Sequence, residues 1–140
     1  KRHLGLGDKI DNLSGDASFG SETLEIKVSI ENGSEGQYNF VQIRPHHRVT
    51  HYIFVTYSVS RDEEFWFKIP SADLYDLLPE FGGYAHGTLS SQGQITNKSI
   101  KENQFEYALR PSMFSGKNTK TNKLWNVLLK YRVKPQELRL

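Results

Sequence analysis

The run Tyr52-Ile53-Phe54-Val55-Thr56-Tyr57-Ser58-Val59 constrains the fold more than any other stretch of this chain. It is almost continuous in β-branched and aromatic residues and shows no polar alternation. Such a run reads as a strand buried on both faces, so the chain must supply cover on either side of it. A polar turn at Ser60 to Glu63 leads into a second strand, Phe65 to Ile69, closed by Pro70. Two strands joined so briefly imply an antiparallel hairpin. A third strand, Thr23 to Ile30, is of another kind. Leu24, Ile26, Val28 and Ile30 alternate with Glu25, Lys27 and Ser29. With a side-chain period of two, Glu25 and Lys27 share one face, and the four aliphatics are expected to pack on the other.

Around these strands the pattern is less regular. Gly15-Asp16-Ala17-Ser18-Phe19 reads as a short partner strand, with Gly20 and Ser21 turning the chain into Thr23 to Ile30. Glu31 to Gln37 reads as a polar loop, and Tyr38 to Arg44 fits either a short helix or a strand ended by Pro45. Ser71 is placed to cap a helix carrying Leu74, Leu77 and Leu78, which ends before Gly82-Gly83. Residues 84–103 read as irregular surface and Phe105 to Leu109 as a strand. Thr119 to Arg132 reads as a helix with Leu124, Val127, Leu128 and Tyr131 on one stripe. The expected class is α+β or mixed α/β, with a central mixed β-sheet flanked by helices.

The length, 140 residues, suits a single domain over residues 1–140. No Met opens the chain, and the expectation is that an N-terminal segment is missing. With 36% hydrophobic and 24% charged residues the composition is that of a soluble globular protein. There is no cysteine, which excludes disulfides and thiolate zinc sites and fits a reducing, cytoplasmic setting. No apolar run approaches the ~20 residues needed to span a bilayer, and the first residues lack the apolar stretch of a secretion signal. The net charge of +2 is unevenly spread. Residues 1–96 carry −5 and residues 97–140 carry +7. A basic final third beside an acidic remainder suits a polyanion-binding surface joined to a cation-binding centre.

One constellation bears chemistry. Asp16 precedes Glu25-Ile26-Lys27, the only acid-x-Lys triplet in the chain, and the triplet lies on an alternating strand ahead of the buried ones. This arrangement resembles the active-site strands of the PD-(D/E)xK nuclease superfamily, and within it the type II restriction endonucleases. Gly15-Asp16-Ala17, Glu25-Ile26-Lys27-Val28-Ser29, Asn39 to Pro45, and Phe67-Lys68-Ile69-Pro70 leading into a helix all contribute to the likeness, which covers residues 14–80. The resemblance implies a restriction-endonuclease-like fold and a Mg²⁺-dependent endonuclease, with Mn²⁺ able to substitute, acting on double-stranded DNA as a homodimer. It further implies that Asp16, Glu25 and Lys27 are catalytic, and that Asp16, Glu25 and the Ile26 carbonyl ligate the metal.

The chemistry accounts for the residue types. Phosphodiester hydrolysis requires charge neutralisation at phosphate and a hydroxide near neutral pH. Two carboxylates make half a cage for a hard, oxygen-preferring ion, and a lysine on the same face can hold the attacking water. Asp11 is the alternative first acid, should the hairpin loop be longer. Gln42 and Arg44, just beyond the hairpin, are candidate DNA contacts, as is His86 in a small-residue loop near Gln92 and Gln94. Lys117 and Lys120, at the start of the last helix, suit phosphate contacts. Of His46, His47 and His51, surface or phosphate-contacting roles are expected rather than metal ligation. A repair or recombination nuclease of the same fold, or a non-catalytic DNA-binding module, are the competing functions.

Overall fold

In the computed structural model, residues 17–19, 21–31, 34–85, 93–114 and 119–138 are described. They form a mixed α+β fold with two sheets and three α-helices. The larger sheet contains β1 (Ala17–Phe19), β2 (Glu22–Ile30), β4 (His51–Ser58), β5 (Glu63–Pro70) and β8 (Arg132–Val133), in the order β1-β2-β4-β5-β8. The smaller contains β3 (Phe40–Ile43), β7 (Tyr107–Leu109) and β6 (Gly83–Tyr84), in the order β3-β7-β6. The helices are α1 (Ser71–Phe81), α2 (Asn97–Glu102) and α3 (Thr119–Leu128). No helix among the described residues is long and apolar enough to cross a membrane.

The hairpin expected from the buried run is present. β4 and β5 pair antiparallel, with Phe54 opposite Phe67. β4 is the central strand, and Tyr52 through Thr56 are all buried. Val59 lies beyond its end, 66% exposed in the turn, because the turn begins one residue earlier than the apolar run suggests. β2 lies on the other side of β4 and runs parallel to it, Glu25 opposite Tyr52 and Lys27 opposite Phe54. A parallel neighbour needs a crossover, and residues 31–50 supply it, contributing β3 to the second sheet on the way.

The main core fills the space between the larger sheet and a layer made of the smaller sheet, α1 and α3. Tyr52, Phe54, Phe67 and Ile69 face Phe40, Ile43, Leu74, Leu78, Tyr107, Leu109, Leu124, Trp125 and Leu128 in one buried cluster. Trp125 is at its centre, with Tyr38, Phe65 and Phe67 rings 5.6, 5.1 and 5.5 Å away. The opposite face of the larger sheet has a smaller cluster of Leu24, Ile53, Val55 and Leu138. Thus α1 and α3 lie on one face, and among the described residues the other face is met by the 3-10 turn Pro135–Leu138 rather than by an α-helix.

Several local expectations are corrected. Only Leu24 of the four β2 aliphatics is fully buried; Ile26 is half-buried, and Val28 and Ile30 are each 63% exposed. Their face is covered near the start of β2 and open further on. Ser71 is the first helical residue and not the cap; its hydroxyl donates to the Val49 carbonyl at 2.7 Å, which ties α1 to the segment before β4. Within residues 84–103, α2 replaces the irregular surface, stabilised by a reciprocal capping box between Thr96 and Ser99. The last helix stops at Leu128, passes through a 3-10 turn, and gives way to β8, where Arg132 and Val133 pair with β5.

The polar loop after β2 conceals a buried carboxylate. Glu31, 6% exposed, accepts hydrogen bonds from Ser58 Oγ at 2.5 Å, Arg61 Nη2 at 2.8 Å and the Gly36 amide. Gly36 has φ +69°, and a Cβ there would meet the Phe114 ring at 2.9 Å. This cluster fastens the end of β2 to the β4–β5 turn. The middle of β2 carries the residues of the candidate site.

Candidate active site

β2 places Glu25 and Lys27 on the face turned toward the main core, since Ser29, the next residue of that parity, is buried and its Oγ accepts from the Asn39 amide at 2.9 Å. The pair is therefore not a solvated strand face. Glu25 Oε1 and Lys27 Nζ are 3.5 Å apart, and each side chain is only 15% exposed. Lys27 Nζ also donates to the Gln42 carbonyl at 3.1 Å. Two acceptors thus fix the ammonium at the mouth of the core, in a medium where charges interact more strongly than in water.

The Gln42 carbonyl is presented by a bulge. Phe40 pairs with Leu109 and Ile43 with Tyr107, so β3 fits one more residue into this interval than β7 does. Gln42 adopts φ 57°, the left-handed region that a non-glycine residue enters at some cost. Its side chain is exposed while its carbonyl meets Lys27. Gln42 is a candidate contact through its side chain; the structure gives its backbone a separate part, and nothing in the residue type announces a positive φ.

Behind the pair lie two tyrosines. Tyr52, beside Glu25 on the neighbouring strand, has its hydroxyl 3.1 Å from that of Tyr75 on α1. Burial raises both phenols above their ordinary value, Tyr52 far above it, and the Glu25 charge adds to the effect at each. Both hydroxyls stay neutral and able to donate.

Arg44 sends Nε and Nη2 to Glu106 Oε2 at 3.2 and 3.1 Å, linking the end of β3 to the residue before β7. That partner is 62 positions away, a separation that no local sequence pattern reveals. The three histidines separate. His46 and His47 pack edge to face, 4.7 Å between centroids. His51 belongs to the other face of the sheet, where its Nδ1 is 2.9 Å from Thr50 Oγ1 and 3.6 Å from Glu22, itself 2.6 Å from Lys68. Lys120 is exposed in the first turn of α3, and Lys123 pairs with Glu80 at 3.2 Å. Gln94 is exposed before α2.

Asp16, the alternative acid Asp11, His86, Gln92 and Lys117 lie outside the described residues. Asp16 is the chain neighbour of Ala17, whose Cα pairs with that of Leu24, the chain neighbour of Glu25. Among the described residues no group of three or more His, Cys, Asp or Glu is arranged to hold a metal ion. Glu25 and the Ile26 carbonyl would contribute hard oxygen donors of the kind Mg²⁺ takes.

The chain matches no family model, no curated protein and no solved structure.

Proposed function

We propose that the chain is a Mg²⁺-dependent endonuclease that hydrolyses phosphodiester bonds of double-stranded DNA, with a restriction-endonuclease-like fold and the action of a type II restriction enzyme. The observation that carries this reading is the Glu25–Lys27 pair, 3.5 Å apart and largely withdrawn from solvent. A strand that merely displayed charge would leave both in water, where an ion pair contributes little. Holding them at the edge of the core has a cost that a catalytic use explains.

In this reading Lys27 orients the attacking water and offsets charge building on the phosphate, while the Gln42 carbonyl keeps Nζ from swinging away. Glu25 and Asp16 would hold the metal together with the Ile26 carbonyl. When bound, the ion supplies charge neutralisation at the phosphate and a water more easily deprotonated. Cutting both strands of a duplex calls for two such centres related by a two-fold axis, hence a homodimer. Gln42, Arg44, His86, Lys117 and Lys120 are the proposed DNA contacts.

Plasmid cleavage tests the reading. Mg²⁺ or Mn²⁺ should support cutting into discrete bands, and Ca²⁺ should permit binding with little turnover because its looser geometry positions water poorly. Full activity in EDTA would remove the metal mechanism, smearing would indicate a non-specific nuclease, and binding without cutting would leave a DNA-binding module. A separate measurement addresses the last helix. Lys120→Ala should weaken binding to all duplexes alike and reduce the slope of log affinity against log salt by about one. An unchanged slope would return Lys120 to the solvated surface.

A further inference from the structure

Beyond the Tyr52–Tyr75 contact, on the same face of the larger sheet as Glu25 and Lys27, is a cavity of about 490 Å³, within the range of small-molecule sites. It lies between the loop that follows β3, helix α1 and helix α2. Its walls carry two flat rings, His46 and Tyr75, and three amides, Asn97, Asn103 and Gln104. Two carboxylates, Asp76 and Glu102, face it with one ammonium, Lys101. Nδ1 of His46 is shielded from solvent and has no hydrogen-bond partner among the described residues.

The cavity is joined to the candidate active site by two routes. Tyr75 reaches Tyr52, the neighbour of Glu25 across the sheet, through the 3.1 Å hydroxyl contact. The chain that braces Lys27 at Gln42 continues through Arg44 to Pro45 and His46 in the cavity wall. A duplex engaged at Lys27 would have the cavity on the same face of the sheet, beyond Tyr52 and Tyr75.

The lining chemistry selects among ligands. Two carboxylates against one ammonium disfavour a phosphate inside. Flat rings suit a neutral heteroaromatic plane, and side-chain amides both donate and accept, as base edges do. Carboxylates accept from exocyclic amino groups, which adenine, cytosine and guanine carry and thymine lacks. We propose that this cavity receives one nucleobase turned out of the DNA stack beside the Glu25–Lys27 pair, and prefers a base bearing an exocyclic amino group. The assignment rests on duplex DNA being the substrate. Turning a base out costs a few kcal/mol of stacking and pairing, which the pocket contacts offset.

The test uses the intact protein and the four deoxynucleosides, without DNA or metal. Side-chain amide resonances of Asn97, Asn103 and Gln104 are followed by NMR during titration. Deoxyadenosine, deoxycytidine or deoxyguanosine should shift them with a Kd on the order of 1 mM, and thymidine should bind several-fold more weakly. Ala72→Trp, which fills the cavity from an exposed position on α1, should keep the backbone spectrum and abolish the shifts. Asn103→Ala should weaken binding without filling the space. Unmoved resonances with every deoxynucleoside overturn the proposal, as does binding that survives Ala72→Trp or is equal for thymidine. Because the readout needs no cleavage, plasmid cutting with silent resonances defeats the pocket and spares the nuclease. Shifts in a protein that cuts nothing defeat the nuclease and spare the pocket.

Discussion

Lys27→Met should leave a folded protein that binds duplex DNA and cuts it at least ~10²-fold more slowly, the usual loss when one preorganised charge is removed from a transition state. Methionine keeps most of the lysine's stem in a site that is 15% exposed, so packing is spared and only the ammonium is lost. Glu25→Ala and Asp16→Ala should fall as far, and the three losses should be far from additive, because the groups act as one unit. DNA affinity should persist and even rise in the carboxylate variants, each of which removes charge that repels phosphate. Asp11→Ala serves as the control and should be nearly silent. Abolished cutting in Asp11→Ala with normal cutting in Asp16→Ala would move the first acid upstream. Normal cutting by Lys27→Met would remove Lys27 from the chemistry and the Glu25–Lys27 pair as the cutting centre. Single-turnover cleavage beside a binding measurement in Ca²⁺ separates these outcomes.

The largest effect on stability is expected at Glu31. Glu31→Ala should lower the melting temperature by about 10 °C, since it leaves Arg61, Ser58 and the Gly36 amide without their shared acceptor in a buried setting. The pH dependence has a definite sign. The Ser58 hydrogen bond, helped by Arg61 and Gly36 and opposed by desolvation, holds this carboxyl below its ordinary value of 4.5. Its folded pKa is thus lower than its unfolded one, and its contribution is fully present above the ordinary glutamate range. It is lost as the pH falls through the folded value. Thermal melts from pH 7 to pH 3 should show the gap between the parent protein and Glu31→Gln closing over that window. A gap that is constant with pH would mean that Glu31 contributes through shape alone.

Both expected effects involve residues that a reading of the chain treats very differently. Glu25 and Lys27 were legible because a side-chain period of two is a property of strands wherever they lie. The hairpin of β4 and β5 was legible because so dense a run of β-branched and aromatic residues needs cover on both faces, as a central strand has. Glu31 was not, because a glutamate in a polar, glycine-containing loop looks solvated until Ser58 and Arg61, 27 and 30 positions on, close around it. Helix α2 was hidden for a related reason. Asn97 to Glu102 has one apolar residue, Ile100, too few for a periodic signal, although the Thr96 and Ser99 box was there in the letters. The exposure of Val28 and Ile30 shows the limit of alternation itself, which assigns residues to faces and says nothing of what covers each face.

The position of Trp125 has a consequence for the order in which the molecule is made. Its ring is the common neighbour of Tyr38, Phe65 and Phe67, yet it enters from α3, near the end of the described chain. A polypeptide synthesised only as far as β5 already holds Glu25, Lys27 and Gln42, but lacks the element that locks the two layers around them. Pairings as distant as Trp66 with Val133 close late, since long loops must be ordered before such contacts repay them. Chain growth and the ripening of the Glu25–Lys27 site are thereby coupled, so a nascent chain carries Glu25, Lys27 and Gln42 well before it can hold them in register.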